Sequence, residues 1–252
     1  MKRLITAAIG VPATVLLTWF APDWLFALVV AAAGAACLEE LMKLGAVRLD
    51  SRPGRWVLLV GAAVTLSFMG GPPLVLTTLT FAVLIAATVT SFSSSLQEAL
   101  PKAALATMGI LYCAVLPGFL LLLSRQMVIV LLGILWIGDT AALYGGGLMG
   151  RHLLAPSISP KKTVEGAFAG LIASIVAGVI LGVSLTDAPT GSLIAASLLS
   201  ACAGQLGDLA ESALKRSAGA KDSSSLLPGH GGLLDRLDGL LFAAPVYYWF
   251  FK

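Results

Sequence analysis

Charged side chains are scarce in this sequence, and their scarcity excludes an ordinary soluble domain. Asp, Glu, Lys and Arg make up 12% of the 252 residues and hydrophobic residues 58%, and the mean hydropathy is +0.95. Soluble globular chains carry about 25% charged and about 45–50% apolar residues. The composition is that of a membrane protein, for which length does not predict a number of domains.

Cysteine is also scarce. The chain has three cysteines, Cys37, Cys113 and Cys202, which lie far apart inside apolar runs. A disulfide framework or a cysteine-based metal site needs closer or patterned spacing, so the sequence favours neither. We expect all three side chains to be buried as small apolar residues.

A cleavable signal peptide is lacking as well. Met1-Lys2-Arg3 precede an apolar run that ends at Phe20, but no small-residue cleavage site follows, and a second apolar stretch begins almost at once. The start is therefore interpreted as an uncleaved first span. Apolar runs of roughly 20 residues, the length of a membrane-crossing helix, recur along the chain. They predict an all-α, polytopic integral membrane protein with about nine transmembrane helices, at 4–20, 24–42, 56–70, 73–91, 103–123, 127–146, 164–185, 192–212 and 240–251.

The distribution of basic residues predicts the orientation of these spans. With nine spans and a cytoplasmic N-terminus, 14 of the 16 Lys and Arg residues fall on the inside, and Arg125 and Lys252 remain outside. Cytoplasmic loops carry such an excess. The same orientation places both large polar loops, 147–163 and 213–239, at the cytoplasmic face. We expect a scaffold of spans over 1–125 and a catalytic region with cytoplasmic polar loops over 126–252.

A polar segment with seven charged residues lies between residues 212 and 238. This segment contains four basic residues, three carboxylates, one histidine and a glycine-rich turn: Lys215, Arg216, Lys221, Arg236, Asp222, Asp235, Asp238, His230 and Pro228–Gly232. At its start, four polar residues share one helix face at i, i+3, i+4 and i+7: Asp208, Glu211, Ser212 and Lys215. Two acids at a membrane boundary need a cation or a base. Either they bind a metal ion, or Asp208 or Glu211 bridges to Lys215.

Five carboxylates within 31 residues predict a site for hard cations: Asp208, Glu211, Asp222, Asp235 and Asp238. Oxygen ligands without cysteine suit Mg²⁺ rather than zinc, and their number leaves room for a second, monovalent cation such as K⁺. The four nearby basic residues would neutralise phosphates. Gly231 and Gly232 let backbone N–H groups approach a ligand closely. His230 either braces this turn or takes part directly in binding or proton handling.

The other polar loop supports the same prediction. Asp139 is an acid inside the sixth predicted span, and Gly145–Gly147 follow it. Ser159, Lys161, Lys162 and Thr163 then precede the seventh span, so hydroxyl groups and two lysines gather at a helix N-terminus, which favours anion binding. The alternative is an ordinary positive-inside anchor.

Together these residues resemble the C-terminal signature of the integral-membrane phosphatidate cytidylyltransferases, also called CDP-diglyceride synthases. The signature runs Ser-x-apolar-Lys-Arg, four residues, Lys-Asp, and then Pro-x-His-Gly-Gly-apolar-x-Asp-Arg-apolar-Asp. The chain keeps every spacing of it: Ser212, Leu214, Lys215-Arg216, Lys221-Asp222, Pro228, His230–Gly232, Asp235-Arg236 and Asp238. Segments 159–166 and 207–212 also resemble the family, and the resemblance is close over roughly 136–240. Ser224 stands where glycine is usual, and Gly145–Gly147 replace a more aromatic stretch.

The resemblance implies that CTP and phosphatidic acid react to give CDP-diacylglycerol and pyrophosphate with the help of Mg²⁺. The implied catalytic residues are Lys221, Asp222, His230, Asp235 and Asp238. The implied metal ligands are Asp208, Glu211, Asp222, Asp235 and Asp238. The implied phosphate-binding residues are Ser159, Lys161, Lys162, Thr163, Ser212, Lys215, Arg216, Gly231, Gly232 and Arg236.

The expected partners are CTP, phosphatidic acid in the bilayer and membrane lipids, with no nucleic acid; a homodimer is left open. The expected location is the cell inner membrane, with several spans and a cytoplasmic active site. Another CTP-dependent lipid enzyme, similar to a polyprenol kinase or a CDP-archaeol synthase, is the nearer alternative. A secondary transporter is the more distant one, because Asp139 lies inside a span near glycines, although most charges cluster at one face.

Overall fold

The computed structural model describes residues 2–45, 47, 52–226 and 231–252. The chain divides into two compact units, Met1–Leu122 with Asp222–Arg236 and Leu123–Lys221 with Leu237–Lys252. Both consist of helices whose main-chain polar groups bond within each segment, as a chain of apolar runs requires in a bilayer.

The first unit is built from the N-terminal helices. They are α1 (Lys2–Phe20), α2 (Asp23–Leu44), α3 (Arg52–Ser67), a 3-10 turn (Phe68–Gly70), α4 (Pro72–Phe92), α5 (Leu96–Ile110), a π segment (Leu111–Val115), α6 (Leu116–Gly118) and a second 3-10 turn (Phe119–Leu122). From Leu96 to Leu122 the chain forms one helical rod.

The π segment lies where a proline interrupts the hydrogen bonds of this rod. Pro117 has no N–H to offer the carbonyl of Cys113, and prolines commonly disturb the helical ladder in this way. Two neighbouring helices approach this segment closely: a Cβ at Gly34 of α2 would lie 2.4 Å from the Cys113 carbonyl oxygen, and the Thr65 hydroxyl of α3 donates to the Ala114 carbonyl at 2.9 Å. Both α2 and α3 therefore pack against the rod within the first unit.

The second unit contains the remaining helices and a small hairpin. Its elements are α7 (Arg125–Met149), β1 (Leu153–Ala155), β2 (Ser159–Thr163), α8 (Val164–Leu185) and α9 (Thr190–Ser217), followed by α10 (Leu234–Phe251), most of which belongs to this unit. The two strands pair antiparallel, with Leu153 opposite Thr163 and Ala155 opposite Ser159. The hairpin was not expected from the sequence, but it is small and the fold is all-α.

The predicted class, an all-α polytopic membrane protein, is confirmed. Among the described residues, six helices are long and apolar enough to cross a membrane, and the apolar helical stretches Ala8–Phe20 and Gly54–Gly70 are shorter. A further helix, α10, carries charges in its first turns and becomes apolar after Gly239. Each predicted span coincides with a helical segment, and the cytoplasmic N-terminus stays a prediction.

The expected burial is confirmed for two of the three cysteines. Cys37 and Cys113 are fully buried within the first unit, whereas Cys202 on α9 is only half-buried. Within the described residues, none of the three forms a disulfide. The expectation for Cys202 was wrong because an apolar run in a membrane protein need not face other helices.

Candidate functional site

The hairpin that precedes α8 is held by the first turn of that helix. The Glu165 carboxylate accepts hydrogen bonds from the N–H groups of Arg151 at 3.0 Å and His152 at 3.2 Å, and one of its oxygens lies 2.6 Å from His152 Nδ1. Thr163 caps α8, because its hydroxyl oxygen accepts from the N–H of Gly166 at 3.1 Å. The capping residue and the acid in the first turn stabilise the helix start.

The hairpin presents the two lysines that the sequence placed at an anion site. Lys161 is exposed on β2, and the neighbouring Lys162 forms an ion pair with Asp208 of α9. Ser159 is half-buried at the start of the same strand. The lysines therefore lie just before the N-terminus of α8, as predicted, and their binding of phosphate stays a prediction.

A close crossing of α9 and α10 brings two of the predicted carboxylates together. At Gly207 the helices are so close that a Cβ atom would lie 2.6 Å from the carbonyl oxygen of Asp238 and 3.0 Å from Cβ of Phe242. Small residues permit such close approach in membrane proteins. Since Asp208 follows Gly207 directly, the crossing places Asp208 and Asp238 as neighbours.

Asp238 has an unusual protonation equilibrium. It lies in the second turn of α10, before the apolar part of the helix begins. Burial and the neighbouring carboxylate of Asp208 raise the pKa of Asp238 to about 7, and Asp139 of α7 adds to this effect. The N–H of Gly239, which donates to Asp238 at 2.7 Å, and the ammonium group of Lys162 oppose it. Like charges kept close in this way are typical of a cation site.

The other polar residues of α9 form contacts of their own. Glu211 and Lys215 form an ion pair of 2.6 Å, with 1% and 11% of their side chains exposed. This is the bridge that the sequence left open as an alternative to a metal ligand. The Ser212 hydroxyl donates to Asp208 at 3.4 Å. Arg216 donates through Nε to the carbonyl of Ile158 at 3.3 Å and so connects α9 to the hairpin.

In the first unit, the segment before α10 is organised around Asp235. Two stretches, residues 222–226 and 231–234, are called here the loop arms. Asp235 accepts from the N–H of Gly232 at 2.7 Å and from the N–H of Ser223 at 3.0 Å, so it joins the two arms. Gly231 has φ of 79°, and a side chain there would meet Asp235 Oδ2 at 2.5 Å. Because Gly231 and Gly232 have no side chains, the carboxylate of Asp235 can approach the main chain closely.

Glu40 of α2 is a site residue that the sequence interpretation missed. It is only 4% exposed and accepts four hydrogen bonds from the loop arms, two from serine hydroxyls and two from main-chain N–H groups. The available signal was a pair of acids, Glu39 and Glu40, at the end of an apolar run, since acids inside spans are costly and usually functional.

The remaining predicted residues have simpler positions. Asp222 is the first residue of the first loop arm, Lys221 precedes it, and Arg236 follows Asp235. All three side chains are exposed. His230 lies outside the described residues, as do the other residues of the turn from 227 to 229. Their predicted roles stay predictions.

The carboxylates of the site are ligands of the kind that Mg²⁺ prefers. In the described part of the chain, no three His, Cys, Asp or Glu side chains converge as a ready metal site. Mg²⁺, however, commonly binds through one or two carboxylates and completes its shell with water and substrate phosphates. The neighbouring Asp208 and Asp238, with the raised pKa of Asp238, fit that mode of binding.

An apolar groove runs along the second unit. It has a volume of about 840 Å³ and is lined by Ile137 and Met149 of α7 and by one side of α8 from Glu165 to Leu181. Every lining side chain except Glu165 is apolar. The stretch of α8 involved is about 24 Å long, most of the hydrocarbon thickness of a bilayer.

Comparison with known proteins places the chain in a family. A family model described as the cytidylyltransferase family matches residues 1–252. An uncharacterized protein of Escherichia coli strain K12, YnbB, is 44% identical over 126 residues, 50% of this chain and 42% of YnbB. Phosphatidate cytidylyltransferase of Brucella suis biovar 1 is 44% identical over 124 residues, 49% of this chain and 46% of that protein. Phosphatidate cytidylyltransferase of Staphylococcus epidermidis is 42% identical over 114 residues, 45% and 44% of the two chains. The matched segment thus spans less than half the length of each relative.

Proposed function

This chain belongs to the cytidylyltransferase family, and on that premise we propose that it transfers the cytidylyl group of CTP to phosphatidic acid. The products are CDP-diacylglycerol, a precursor of phospholipids, and pyrophosphate. The observation that carries the proposal is the family match over residues 1–252. The neighbouring carboxylates Asp208 and Asp238, close to Lys162, support it, because the reaction brings two polyanions together.

The chemistry is a substitution at phosphorus. A phosphate oxygen of the lipid attacks the α-phosphorus of CTP, the bond from that phosphorus to the bridging oxygen breaks, and pyrophosphate leaves with the bonding electrons. The nucleophile is already an anion, so no covalent enzyme intermediate is required. The work of the protein is to orient the two substrates and to neutralise the charge that develops on the leaving group.

Basic residues of the second unit would bind the phosphates. Lys161 and Lys221 are exposed. The guanidinium group of Arg216 donates to two main-chain carbonyls, those of Ile158 and Ala220, and these bonds fix its orientation. Each of these side chains can donate to phosphate oxygens, and Lys162 can exchange its contact with Asp208 for one with a substrate.

Asp208 and Asp238 would hold Mg²⁺. When bound, the ion neutralises phosphate charge and orients the leaving pyrophosphate. The sequence predicts Asp222 and Asp235 of the first unit as metal ligands as well, and a monovalent cation such as K⁺ in addition to Mg²⁺ is part of the proposal. The Asp235 carboxylate also fixes the loop arms through Ser223 and Gly232.

The lipid substrate and the location form the last part of the proposal. The apolar groove along α8 is continuous with the helix start that follows Lys161 and Lys162, so it offers an acyl chain a path beside phosphate-binding lysines. We place the protein in the cell inner membrane with the reaction at the cytoplasmic face, where CTP is available and where the basic residues concentrate.

The test is a product assay with the purified protein in lipid–detergent micelles. We expect pyrophosphate and CDP-diacylglycerol to form from CTP and phosphatidic acid only when Mg²⁺ is present, and neither to form without the lipid acceptor. Release of CDP with a phosphorylated lipid would instead identify a CTP-dependent kinase. Solute uptake by proteoliposomes without consumption of CTP would identify a transporter.

A further inference from the structure

We propose that Glu40 is a positioning residue for the reaction, and that its carboxylate holds the two loop arms in the arrangement that turnover requires. The inference rests on the proposed function, because the arms carry Asp222 and lead to Asp235, whose roles are part of that function. Glu40 itself lies on α2, far from both in the sequence.

The four hydrogen bonds of Glu40 are divided evenly between the arms. From the first arm, the hydroxyl of Ser223 donates to Oε2 at 2.8 Å and also lies 3.0 Å from Asp235 Oδ2. The hydroxyl of Ser224 donates to Oε1 at 2.7 Å. From the second arm, the N–H of Leu233 donates to Oε1 at 2.9 Å and that of Leu234 to Oε2 at 2.8 Å. Each oxygen therefore receives one donor from each arm, and the carboxylate clamps the arms together.

The clamp also completes the start of α10. Leu234 is the first residue of that helix, and the first N–H groups of any helix lack partners within it. Glu40 supplies an acceptor and a negative charge at this end, which favours the helix dipole. A side chain from another helix thus takes the capping role that a local Ser or Asp usually has.

Glu40 is placed by a rigid part of the first unit. Two residues before it, Leu38 packs so closely against Gly109 of α5 that a Cβ at Gly109 would lie 2.6 Å from Leu38 Cδ1. On the loop side, a side chain at Gly232 would collide with Ser223 Oγ and Glu40 Oε2. Close packing at Leu38 and at Gly232 therefore fixes the position of the Glu40 carboxylate, because a close-packed interior leaves no space for a displacement.

The experiment compares Glu40→Gln with Glu39→Gln. Glutamine keeps the shape of Glu40 but places an amide NH₂ group against one main-chain N–H, whose hydrogen bond is lost, and against one serine hydroxyl, which must turn to accept. Glu39 is the matched control, because its side chain is 39% exposed and, among the described residues, pairs with Lys43 one helical turn away at 2.5 Å. We expect Glu40→Gln to lower kcat for CDP-diacylglycerol formation by about 100-fold, with KM for phosphatidic acid changed by less than about threefold. Glu39→Gln should stay within about twofold of the parent protein.

A second measurement does not depend on activity. Lys221 is exposed immediately before the first arm, so trypsin can report the release of that arm. We expect cleavage after Lys221 to be at least about fivefold faster in Glu40→Gln than in Glu39→Gln. Ser223→Ala, which removes one donor and leaves α2 unchanged, should also accelerate cleavage and should add little to the effect of Glu40→Gln in the double variant.

The two proposals can fail separately. If the unsubstituted protein makes no CDP-diacylglycerol, the proposed function fails, and the proteolysis experiment still decides whether Glu40 holds the arms. Equal cleavage rates in the two glutamine variants, or equal kcat values in an active protein, would overturn the positioning role. If Glu40→Gln does not insert and fold, Ser223→Ala takes its place in both measurements, and unchanged kcat and cleavage would overturn the proposal.

Discussion

Glu211 and Lys215 are a pair of opposite charges almost removed from solvent at the end of α9. Their atoms lie 2.6 Å apart, one helical turn from each other. Taking two charges out of water is costly, and breaking such a pair leaves one buried charge without compensation. The pairing therefore predicts that Glu211 has mainly a structural role, and that Asp208, one turn earlier, faces the substrates instead.

Substitutions can distinguish a structural ion pair of Glu211 and Lys215 from a metal site that contains Glu211. Glu211→Gln alone should destabilise the protein by about 3–5 kcal/mol, whereas replacing both residues with methionine should be close to neutral. Thermal unfolding in detergent measures both. The double variant should keep the Mg²⁺ dependence of the parent enzyme. A loss of Mg²⁺ response with an unchanged melting temperature would instead identify Glu211 as a metal ligand.

At the scale of elements, the crossing of α9 and α10 decides how close the carboxylates of Asp208 and Asp238 lie. The crossing depends on Gly207, where a Cβ would meet the Asp238 carbonyl and Phe242. Where two helices pack through small residues, there is no space between them for a larger side chain. The separation of Asp208 and Asp238 is thus a property of helix packing and not of a flexible loop.

Gly207→Ala tests this dependence. The added methyl group should push the helices apart, destabilise the protein by about 1–3 kcal/mol and lower kcat by at least about tenfold. Gly191→Ala is the matched control on the same helix, because a Cβ at Gly191 would have no neighbour within 4 Å. Steady-state kinetics with both variants make the comparison. Equal activity of the two variants would contradict the role of the crossing.

At the scale of the whole molecule, the distribution of basic residues implies one orientation in the membrane. The polar stretches 147–163 and 213–239 carry Lys161, Lys162, Lys215 and Lys221, whereas the connection between α8 and α9 carries the acid Asp187. Positive charge is retained on the cytoplasmic side during insertion. With this orientation, substrates from the cytoplasm would reach the same side of the membrane as the basic loops that are proposed to bind them.

Labelling with a membrane-impermeant maleimide measures this orientation. In a background with the three native cysteines replaced by alanine, we expect Asp187→Cys to react in intact spheroplasts. Lys161→Cys should react only in inverted vesicles. Arg125→Cys serves as a second outside position. Reaction of the Lys161→Cys variant in intact spheroplasts would contradict the predicted topology.

The helices could be predicted from the sequence because the bilayer requires long apolar runs. The seventh predicted span, 164–185, coincides with α8 at Val164–Leu185, and the family resemblance is confirmed over residues 1–252. The fifth span was predicted to begin at 103, but α5 begins at Leu96. Its first turns have no apolar signal and are supported instead by the Glu98–Lys102 ion pair of 2.9 Å.

The candidate site was predictable only where its contacts are local in sequence. The Glu211–Lys215 pair follows from helical spacing and was expected as one of two alternatives. The pair of Lys162 with Asp208 and the bonds from Ser223 to Glu40 join residues that are remote in the chain. No periodicity relates such residues, because helix packing brings them together. The metal ligands and the role of His230 stay predictions.

The hydrogen bonds of Glu40 also set an order of events during synthesis of the chain. Ser223 and Leu234 follow Glu40 by 183 and 194 residues, so α2 is synthesised long before these donors are translated. An acid in a nascent transmembrane helix is costly until it finds partners. We therefore expect the end of α2 to stay at the aqueous boundary until the last loop emerges. A chain truncated before Ser223 should expose this acid to quality-control proteases, even when its earlier helices are inserted.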